Sequence, residues 1–283
     1  MTQDTRKQPQ VDPAEENAFF PSEYSLSQFT SPVSDLSGAD YPNRYTGSHK
    51  VLVIAADERY LSTDTGALFS TGNHPVETLL PLYHLQAAGF DFDVATLSGQ
   101  MAKFEYWAMP RGDARIMPFF RETLPKFRTP RKLSDVVSQL TKDSEYAAVF
   151  IPGGHGALTG LPRSEDVAKT LRWAMRADRF VISLCHGPAA FLSLRQGENP
   201  LDGYSVCAFP DSADKATPDM GYMPGHLTWY FGEALKEMGM IIVNHDIKGT
   251  VHKDRNVLTG DSPFAANALG QLAAKEMLAR FAG

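Results

Sequence analysis

The sequence predicts an α/β fold in which a doubly wound parallel sheet is covered by helices on both faces. Short runs rich in Val, Ile and Leu alternate along the chain with segments whose apolar residues recur at spacings of three and four. Each short run is almost continuously apolar, which is typical of strands buried on both faces. Strands that alternate with helices in this way imply parallel pairing through crossover helices.

Composition and charge narrow the classes of protein. The 283 residues are 43% apolar and 21% charged, which is typical of a chain with a full core. The net charge of −6 disfavours a basic nucleic-acid groove, and two cysteines are too few for a disulfide scaffold. The start of the chain lacks an apolar export core, and no apolar run reaches roughly 18 residues. These observations favour a cytoplasmic protein in a reducing compartment.

Residues 1–48 are expected to form an N-terminal arm ahead of an α/β domain at residues 49–283. The first segment is rich in Pro, Ser, Asp and Tyr and shows neither the strand nor the helix period. Its large aromatic residues, among them Phe19 and Phe20, could anchor an extended segment. We therefore expect the arm to pack against a domain or a partner.

Regular elements begin at Lys50, where a β-branched run predicts the first buried strand. A helix from about His74 to Ala88 follows, with Pro75 in its first turn, and Gly89 ends it. A last helix is predicted after Ser262 as N-cap. The other predicted elements are strands at 90–97, 147–152, 180–184, 204–209 and 240–244, helices at 133–142, 165–176, 188–194 and 227–238, and a strand pair at 250–258.

Residues 98–132 interrupt the alternation with four prolines and are expected to form an inserted lid subdomain. The segment is also rich in aromatic residues, for example at 104–107 and 117–120. These side chains could line a pocket, but packing against the parent domain is the more common use of such residues.

The strongest functional signal lies where the strand at 180–184 passes directly into a helix. Cys185 stands at this junction, and His186 and Gly187 follow it. A strand that turns sharply into a helix is typical of a nucleophile elbow at the carboxyl edge of a sheet. We expect the helix N-terminus to lower the thiol pKa and favour a thiolate. Cys207, within an apolar strand, is expected to be a core residue.

A second signal is the turn Gly153-Gly154-His155-Gly156, which also follows a predicted strand. Adjacent glycines can turn backbone N–H groups toward a developing oxyanion. The glycine spacing fits neither the dinucleotide fingerprint nor the phosphate-binding loop. The sequence therefore predicts an oxyanion hole beside Cys185 and no nucleotide cofactor.

A third signal is Glu77, in the first turn of the helix that follows the first strand. An acid there stabilises a helix start, but it would face the thiol if the first strand lies near the elbow. A carboxyl beside a thiol has a raised pKa suited to proton transfer.

A cysteine nucleophile also needs a base and an orienting acid. His186 is the adjacent base, and the spacing leaves Asp211, Asp214 and Asp219 as alternatives for the acid.

These motifs together resemble the ThiJ/PfpI superfamily. The N-terminal arm, the aromatic insert, Asp211-Ser-Ala-Asp-Lys and Gly260-Asp-Ser-Pro resemble its long bacterial branch in particular. The resemblance implies a flavodoxin-like sheet with a small lid and a homodimer. It also implies a stress protein with holding-chaperone activity toward unfolded clients. The implied enzyme converts methylglyoxal to lactate without glutathione, or deglycates early adducts on proteins and nucleotides, and forms no stable nucleic-acid or membrane complex.

The resemblance also implies a role for each site residue. The nucleophile falls on Cys185, its base on His186, the orienting acid on Asp214 and the acid beside the thiol on Glu77. The oxyanion hole falls on Gly154 and the N–H of His186. No cofactor is implied.

A surface metal site of the same branch is not expected in this chain. The pattern of that site is two His and one Glu, whereas the matching positions carry Gln86, Asp91 and Thr123. Only Asp91 is a plausible ligand, and one carboxylate does not hold zinc. The other histidines show no tight ligand pair, so the sequence predicts no metal.

Two other functions share some of these features. A protein that acts only as a holding chaperone would use exposed apolar patches to bind unfolded chains. A class I amidotransferase or a peptidase-like hydrolase would share the cysteine elbow. The P-x-E partner expected downstream in an amidotransferase is not visible in the sequence.

Overall fold

The computed structural model describes residues 5–282. The strands are β1 Gln10–Val11, β2 Ala18–Phe20, β3 Lys50–Ile54, β4 Tyr60–Ser62, β5 Leu68–Ser70, β6 Asp91–Thr96, β7 Arg131–Lys132, β8 Tyr146–Ile151, β9 Phe180–Leu184, β10 Ser205–Val206, β11 Ile241–Ile242, β12 Val251–Asp254 and β13 Val257–Gly260. The α-helices are α1 Glu23–Phe29, α2 Pro75–Ala87, α3 Ile116–Arg128, α4 Leu133–Gln139, α5 Glu165–Arg176, α6 Asp211–Ala216, α7 Phe231–Glu237 and α8 Ala266–Phe281. The 3₁₀ helices are Thr5–Lys7, Tyr106–Ala108, His155–Leu158, Leu161–Arg163, Gly187–Arg195, Pro218–Met220 and Pro263–Ala265.

A seven-stranded central sheet confirms the predicted doubly wound fold. Its strand order is β12-β13-β9-β8-β3-β6-β7, and every neighbouring pair is parallel except β12 and β13. The order places β8 between β3 and β9. The carboxyl ends of these three strands therefore lie side by side in the middle of the sheet, where ligands of such folds bind.

Helices cover both faces of the central sheet, as the sequence predicts. The core on one face takes its apolar side chains from α2, α3 and α8. The core on the other face takes them from α4, α5, α7 and the 3₁₀ helix Gly187–Arg195. All residues of β8 and β9 are buried, which accounts for their continuously apolar sequences. None of the helices among the described residues has the length and apolar character needed to cross a membrane.

Part of the predicted N-terminal arm has regular structure. β2 pairs in parallel with β5 in a four-stranded sheet of order β1-β2-β5-β4. The Ser22 hydroxyl caps α1 by accepting a hydrogen bond from the N–H of Ser25, and the Ser25 hydroxyl donates to the carbonyl of Met220. The sequence did not reveal these strands, because two or three residues are too few to show a period of 2.

Residues 98–132 contribute to the central sheet and its cover. α3 buries Phe119, Phe120 and Phe127 in one face of the core. β7 then pairs with β6 at the edge of the sheet. A lid role for this segment stays a prediction.

The elements around the elbow differ from their predicted form. The predicted helix 188–194 is a 3₁₀ helix, and the predicted strands 204–209 and 240–244 shorten to β10 and β11, which pair outside the central sheet. The side chain of Asn244 bonds the N–H and carbonyl of Ala208 at 3.0 and 2.8 Å, which replaces further strand pairing. Ser262 holds the predicted N-cap position, ahead of the 3₁₀ helix Pro263–Ala265 that leads into α8, but its hydroxyl donates to Asp261 and makes no capping hydrogen bond to that helix.

Candidate active site

Cys185 lies at the sharp turn between β9 and the 3₁₀ helix Gly187–Arg195. Its backbone has a φ of +56°, a left-handed conformation that non-glycine residues rarely adopt. A Cβ at position 187 would collide with the hydroxyl of Ser183 and the carbonyl oxygen of Ile151, so only glycine fits there. The turn therefore has the geometry of a nucleophile elbow.

His186 connects the thiol to a carboxylate. Its Nδ1 lies 3.2 Å from the Sγ of Cys185, and its Nε2 lies 3.1 and 3.0 Å from the two carboxyl oxygens of Asp214. An ionised carboxylate only accepts hydrogen bonds, so this network assigns the ring proton to Nε2. The lone pair of Nδ1 then faces the thiol and can take its proton.

The three candidate acids lie in different surroundings. Asp214, in α6, is fully buried against the imidazole. Burial opposes its ionisation, but the charge of His186 and two imidazole hydrogen bonds hold its pKa below the usual range. Asp211 instead accepts hydrogen bonds from the N–H groups of Gly232 and Glu233 at the start of α7. Asp219 lies in the 3₁₀ helix Pro218–Met220 and is exposed.

Glu77 lies in the first turn of α2 and is only 1% exposed. Neither of its carboxyl oxygens makes a hydrogen bond of good geometry. A Cβ at Gly153 would collide with both this carboxyl and the Cβ of Cys185, so the absence of a side chain there leaves room for the acid near the thiol. Burial raises the pKa of Glu77 well above its ordinary value, and an ionised Glu105 would raise it further. The nearby thiol and the N–H of Gly154 oppose part of this shift.

The expected lowering of the thiol pKa is wrong. Burial raises the pKa of Cys185 well above its ordinary value, and an ionised Glu77 would raise it further. Desolvation therefore opposes the stabilisation of a thiolate that was expected from the helix N-terminus. His186 must therefore accept the thiol proton when the nucleophile reacts.

The two groups predicted to form the oxyanion hole lie next to the thiol. Gly154 and His186 line the same cavity as Cys185, and Gly154 has a φ of +95°. Among residues 5–282, no backbone carbonyl accepts a hydrogen bond from the N–H of either residue outside regular elements. Their function as an oxyanion hole stays a prediction.

Sequence reasoning missed two buried residues of the site. The Nε2 of His155 lies 3.1 Å from Asp214, and its ring centre is 4.0 Å from that of His186. Glu105 accepts hydrogen bonds from the N–H of His155 and the hydroxyl of Thr71. The glycine turn around His155 was a usable signal. Nothing in the local sequence distinguishes Glu105, because only the tertiary fold places its segment, the aromatic-rich residues 98–132, next to the cavity.

These groups surround a cavity of about 110 Å³. Pockets for drug-sized ligands measure roughly 300–1,000 Å³, so this cavity suits a small molecule or one end of a larger one. The apolar residues Phe29 and Phe264 also line it and are 42% and 63% exposed. The remaining lining residues are His74, Glu77, Glu105, Gly154, His155, Cys185, His186, Phe209, Ala213, Thr217, Met220, Tyr222, Ile247 and Pro263.

One group among the described residues has donor atoms close enough to share a metal ion. The donor atoms of His155, His186 and Asp214 all lie within 4.8 Å of one another. Hydrogen bonds from both imidazoles to Asp214 account for this arrangement, and binding a metal would break them.

Two of the three positions matched to the surface metal site, Asp91 and Thr123, take part in other interactions. The Oδ1 of Asp91 lies 2.6 Å from the Nζ of Lys126, and the hydroxyl of Thr123 donates to a carbonyl of its own helix. The absence of zinc stays a prediction.

Comparisons with known proteins agree in family and fold. The DJ-1/PfpI family model matches residues 67–276. The chain is 74% identical, over the full length of both chains, to proteins named protein/nucleic acid deglycase HchA from Escherichia coli O139:H28 and Shigella boydii serotype 18. Glyoxalase III from Candida albicans superposes with a TM-score of 0.65 at 21% identity, covering 83% of this chain and 98% of its own. A Francisella tularensis protein of 24 kDa superposes with a TM-score of 0.65 at 18% identity, covering 81% and 99%.

Proposed function

This chain belongs to the DJ-1/PfpI family, and we propose that it is a cysteine-dependent deglycase that also converts methylglyoxal to lactate without glutathione. The name of its relatives at 74% identity supports the deglycase activity. The observation that carries the proposal is the contact between the Sγ of Cys185 and the Nδ1 of His186 inside a small cavity that also holds Glu77.

The first step forms a carbon–sulfur bond. The Nδ1 of His186 takes the proton of Cys185, and the thiolate adds to the aldehyde carbon of methylglyoxal. The carbonyl electron pair moves to oxygen, where the N–H groups of Gly154 and His186 stabilise the charge. The imidazolium of His186 returns its proton to this oxygen, which gives a hemithioacetal. Asp214 keeps the imidazole in the orientation and tautomer that this step requires.

The second step moves a proton between the two former carbonyl carbons. Glu77 or His186 takes the proton from the sulfur-bearing carbon and returns it to the neighbouring carbon, while the hydroxyl proton of the first carbon passes to the oxygen of the second. The first carbon is thereby oxidised to a thioester and the second reduced to an alcohol, so no external redox partner is required. Water then cleaves the thioester, which releases lactate and restores the thiol.

For a glycated substrate, the cavity would admit the adduct and not its carrier. A volume of about 110 Å³ is far too small for a nucleotide or a folded protein. The thiolate would attack the former aldehyde carbon of an early adduct and release the amino group. Glycated proteins and nucleotides would thus react only where the adduct projects into the cavity.

Three further properties belong to this proposal. We expect the protein to form a homodimer, to work in the cytoplasm and to hold unfolded protein clients. Exposed apolar side chains among the described residues, including Val11, Val33 and Ile241, offer surface for such contacts.

The test uses a purified, preformed methylglyoxal adduct while free aldehyde is trapped continuously. Wild-type protein is expected to remove the adduct faster than its spontaneous decay, and Cys185→Ala is expected to match the decay. Free methylglyoxal without glutathione should give lactate with the wild type alone. If the wild type removes the adduct no faster than its spontaneous decay while free aldehyde is trapped, the activity is aldehyde scavenging and not deglycation. Lactate formation by Cys185→Ala would refute the mechanism.

A further inference from the structure

Glu105 is a buried carboxyl group that the mechanism above does not use. Its side chain is fully buried, yet the residue lines the cavity that holds Cys185. One oxygen, Oε1, accepts hydrogen bonds from the hydroxyl of Thr71 at 2.8 Å and the N–H of His155 at 3.2 Å. The other, Oε2, is buried and has no hydrogen-bond partner among residues 5–282. A buried polar atom without a partner is costly, so one beside a reactive cavity points to a ligand.

The surroundings of Glu105 favour its protonated form. Burial raises its pKa, while the charge of His155 and the hydrogen bonds from Thr71 and the backbone oppose part of the shift. The charge of Arg59 also opposes part of the shift, but its guanidinium donates to the carbonyl oxygens of Thr71 and Phe104. Glu77 and Tyr222 also line this cavity, and an ionised Glu77 would further disfavour a second negative charge.

The hydrogen bonds also indicate which oxygen carries the proton. Oε1 already accepts from two donors, so the proton is best placed on Oε2. The second nitrogen of His155, Nδ1, lies 3.9 Å from Oε1, too far for a hydrogen bond. Glu105 therefore offers one unused O–H donor.

We propose that Glu105 donates a hydrogen bond from Oε2 to the second oxygen of the substrate, so that the site selects 1,2-dicarbonyl compounds over simple aldehydes. The inference rests on the proposed function. Gly154 and His186 serve the oxygen of the attacked carbon, so the oxygen on the neighbouring carbon requires a donor of its own. As the proton leaves the sulfur-bearing carbon, electron density moves to that second oxygen, and the bond from Glu105 strengthens. Glu105 keeps its proton throughout.

The test measures occupancy of the thiol and needs no turnover. The protein is treated with iodoacetamide in the presence of methylglyoxal or of propanal, which lacks the second oxygen. An aldehyde that adds to the thiol protects Cys185 from alkylation. Mass spectrometry of the peptide that contains Cys185 separates its alkylation from that of Cys207. For each aldehyde, the concentration that halves the rate of alkylation gives a protection constant. The ratio of the two constants, relative to the same ratio for a free thiol, reports the preference of the site for the dicarbonyl. Glu105→Leu is expected to lower this ratio about fivefold, the effect of one neutral hydrogen bond worth about 1 kcal/mol.

Glu105→Gln separates a hydrogen-bond donor from a structural role. Its amide oxygen can replace Oε1, and its NH₂ group can donate from the position of Oε2. The wild-type ratio should fall as pH rises and Glu105 ionises, whereas the ratio for Glu105→Gln should stay constant. Ionisation of the thiol, His155 or Glu77 affects both aldehydes and largely cancels in the ratio. This variant also keeps the test decisive if Glu105→Leu fails to fold.

Thr71→Val is the matched control, because it removes a hydrogen bond to Oε1 and leaves Oε2 in place. It should keep most of the wild-type ratio. An unchanged ratio in folded Glu105→Leu, or the same pH dependence in wild type and Glu105→Gln, would overturn the inference. Absence of lactate formation by the wild type would instead count against the proposed function, whatever the ratio shows.

Discussion

Asp214 accepts hydrogen bonds from the Nε2 of His186 through both of its carboxyl oxygens, at 3.1 and 3.0 Å. Because both partners are buried, this contact fixes which ring nitrogen carries the proton and which one faces the sulfur. The second imidazole on the same carboxylate, His155, holds Asp214 in place from another side.

Replacement of Asp214 by asparagine should leave the fold intact and lower kcat for lactate formation by roughly 10²–10⁴-fold. The amide can donate to Nε2, which stabilises the tautomer whose proton points at the thiol. Steady-state kinetics measures the loss. Asp211→Asn is the matched control, since that carboxylate caps α7 and does not contact His186. Equal activity losses in the two variants would contradict a specific function of Asp214.

Glu77→Gln should stabilise the protein at pH 7–8 while it lowers activity. In the unfolded chain Glu77 ionises near a pKa of about 4.3, but in the fold its pKa is raised well above this value. Stability is therefore lost as pH rises from about 4.3 through the folded pKa, and a neutral amide removes that loss. Thermal unfolding across pH 4–8 measures the difference, which should vanish near pH 4. Each kcal/mol recovered raises Tm by roughly 2–4 °C in domains of roughly 150–250 residues.

A lower Tm for Glu77→Gln at pH 8 would contradict this explanation. The control is Glu145→Gln, whose carboxylate forms an exposed ion pair with Lys50. Because exposed ion pairs contribute about 0–1 kcal/mol, this variant should change Tm little at either pH.

Purified protein should contain no equimolar zinc, and a chelator should leave lactate formation unchanged. Gln86, Asp91 and Thr123 supply one carboxylate, which already pairs with Lys126. Elemental analysis and activity after chelation provide the measurements. A stoichiometric zinc that the chelator removes together with activity would show that other residues hold a metal.

Holding-chaperone activity should survive Cys185→Ala. Binding of unfolded chains requires exposed apolar surface, whereas the thiol is buried in the cavity. Light scattering from a heated client, with wild type and variant at equal concentration, tests this prediction. An unrelated soluble protein at that concentration is the control. Loss of protection in the variant would indicate that the apparent protection came from deglycation.

The sequence alone predicted the alternation of strands and helices and the position of the nucleophile elbow. β9 is observed at its predicted bounds of 180–184, because a fully buried strand is almost continuously apolar and Gly187, two positions after Cys185, marks the turn. α5 is likewise observed at 165–176, since its apolar spacing is a local signal. The short strands β1 and β2 gave no such signal, because their pairing with distant residues defines them.

Only the tertiary structure decided which side chains meet at the cavity. Spacing left Asp211, Asp214 and Asp219 equivalent, and the packing of α6 against the elbow brings one of them to His186. The direction of the thiol pKa shift was also beyond local reasoning, since it depends on burial and on Glu77, a residue over a hundred positions away in the chain. Sequence patterns indicate local conformation and which face of an element is buried. Desolvation and charge interactions shift the pKa values of a site and depend on which distant residues the fold buries side by side.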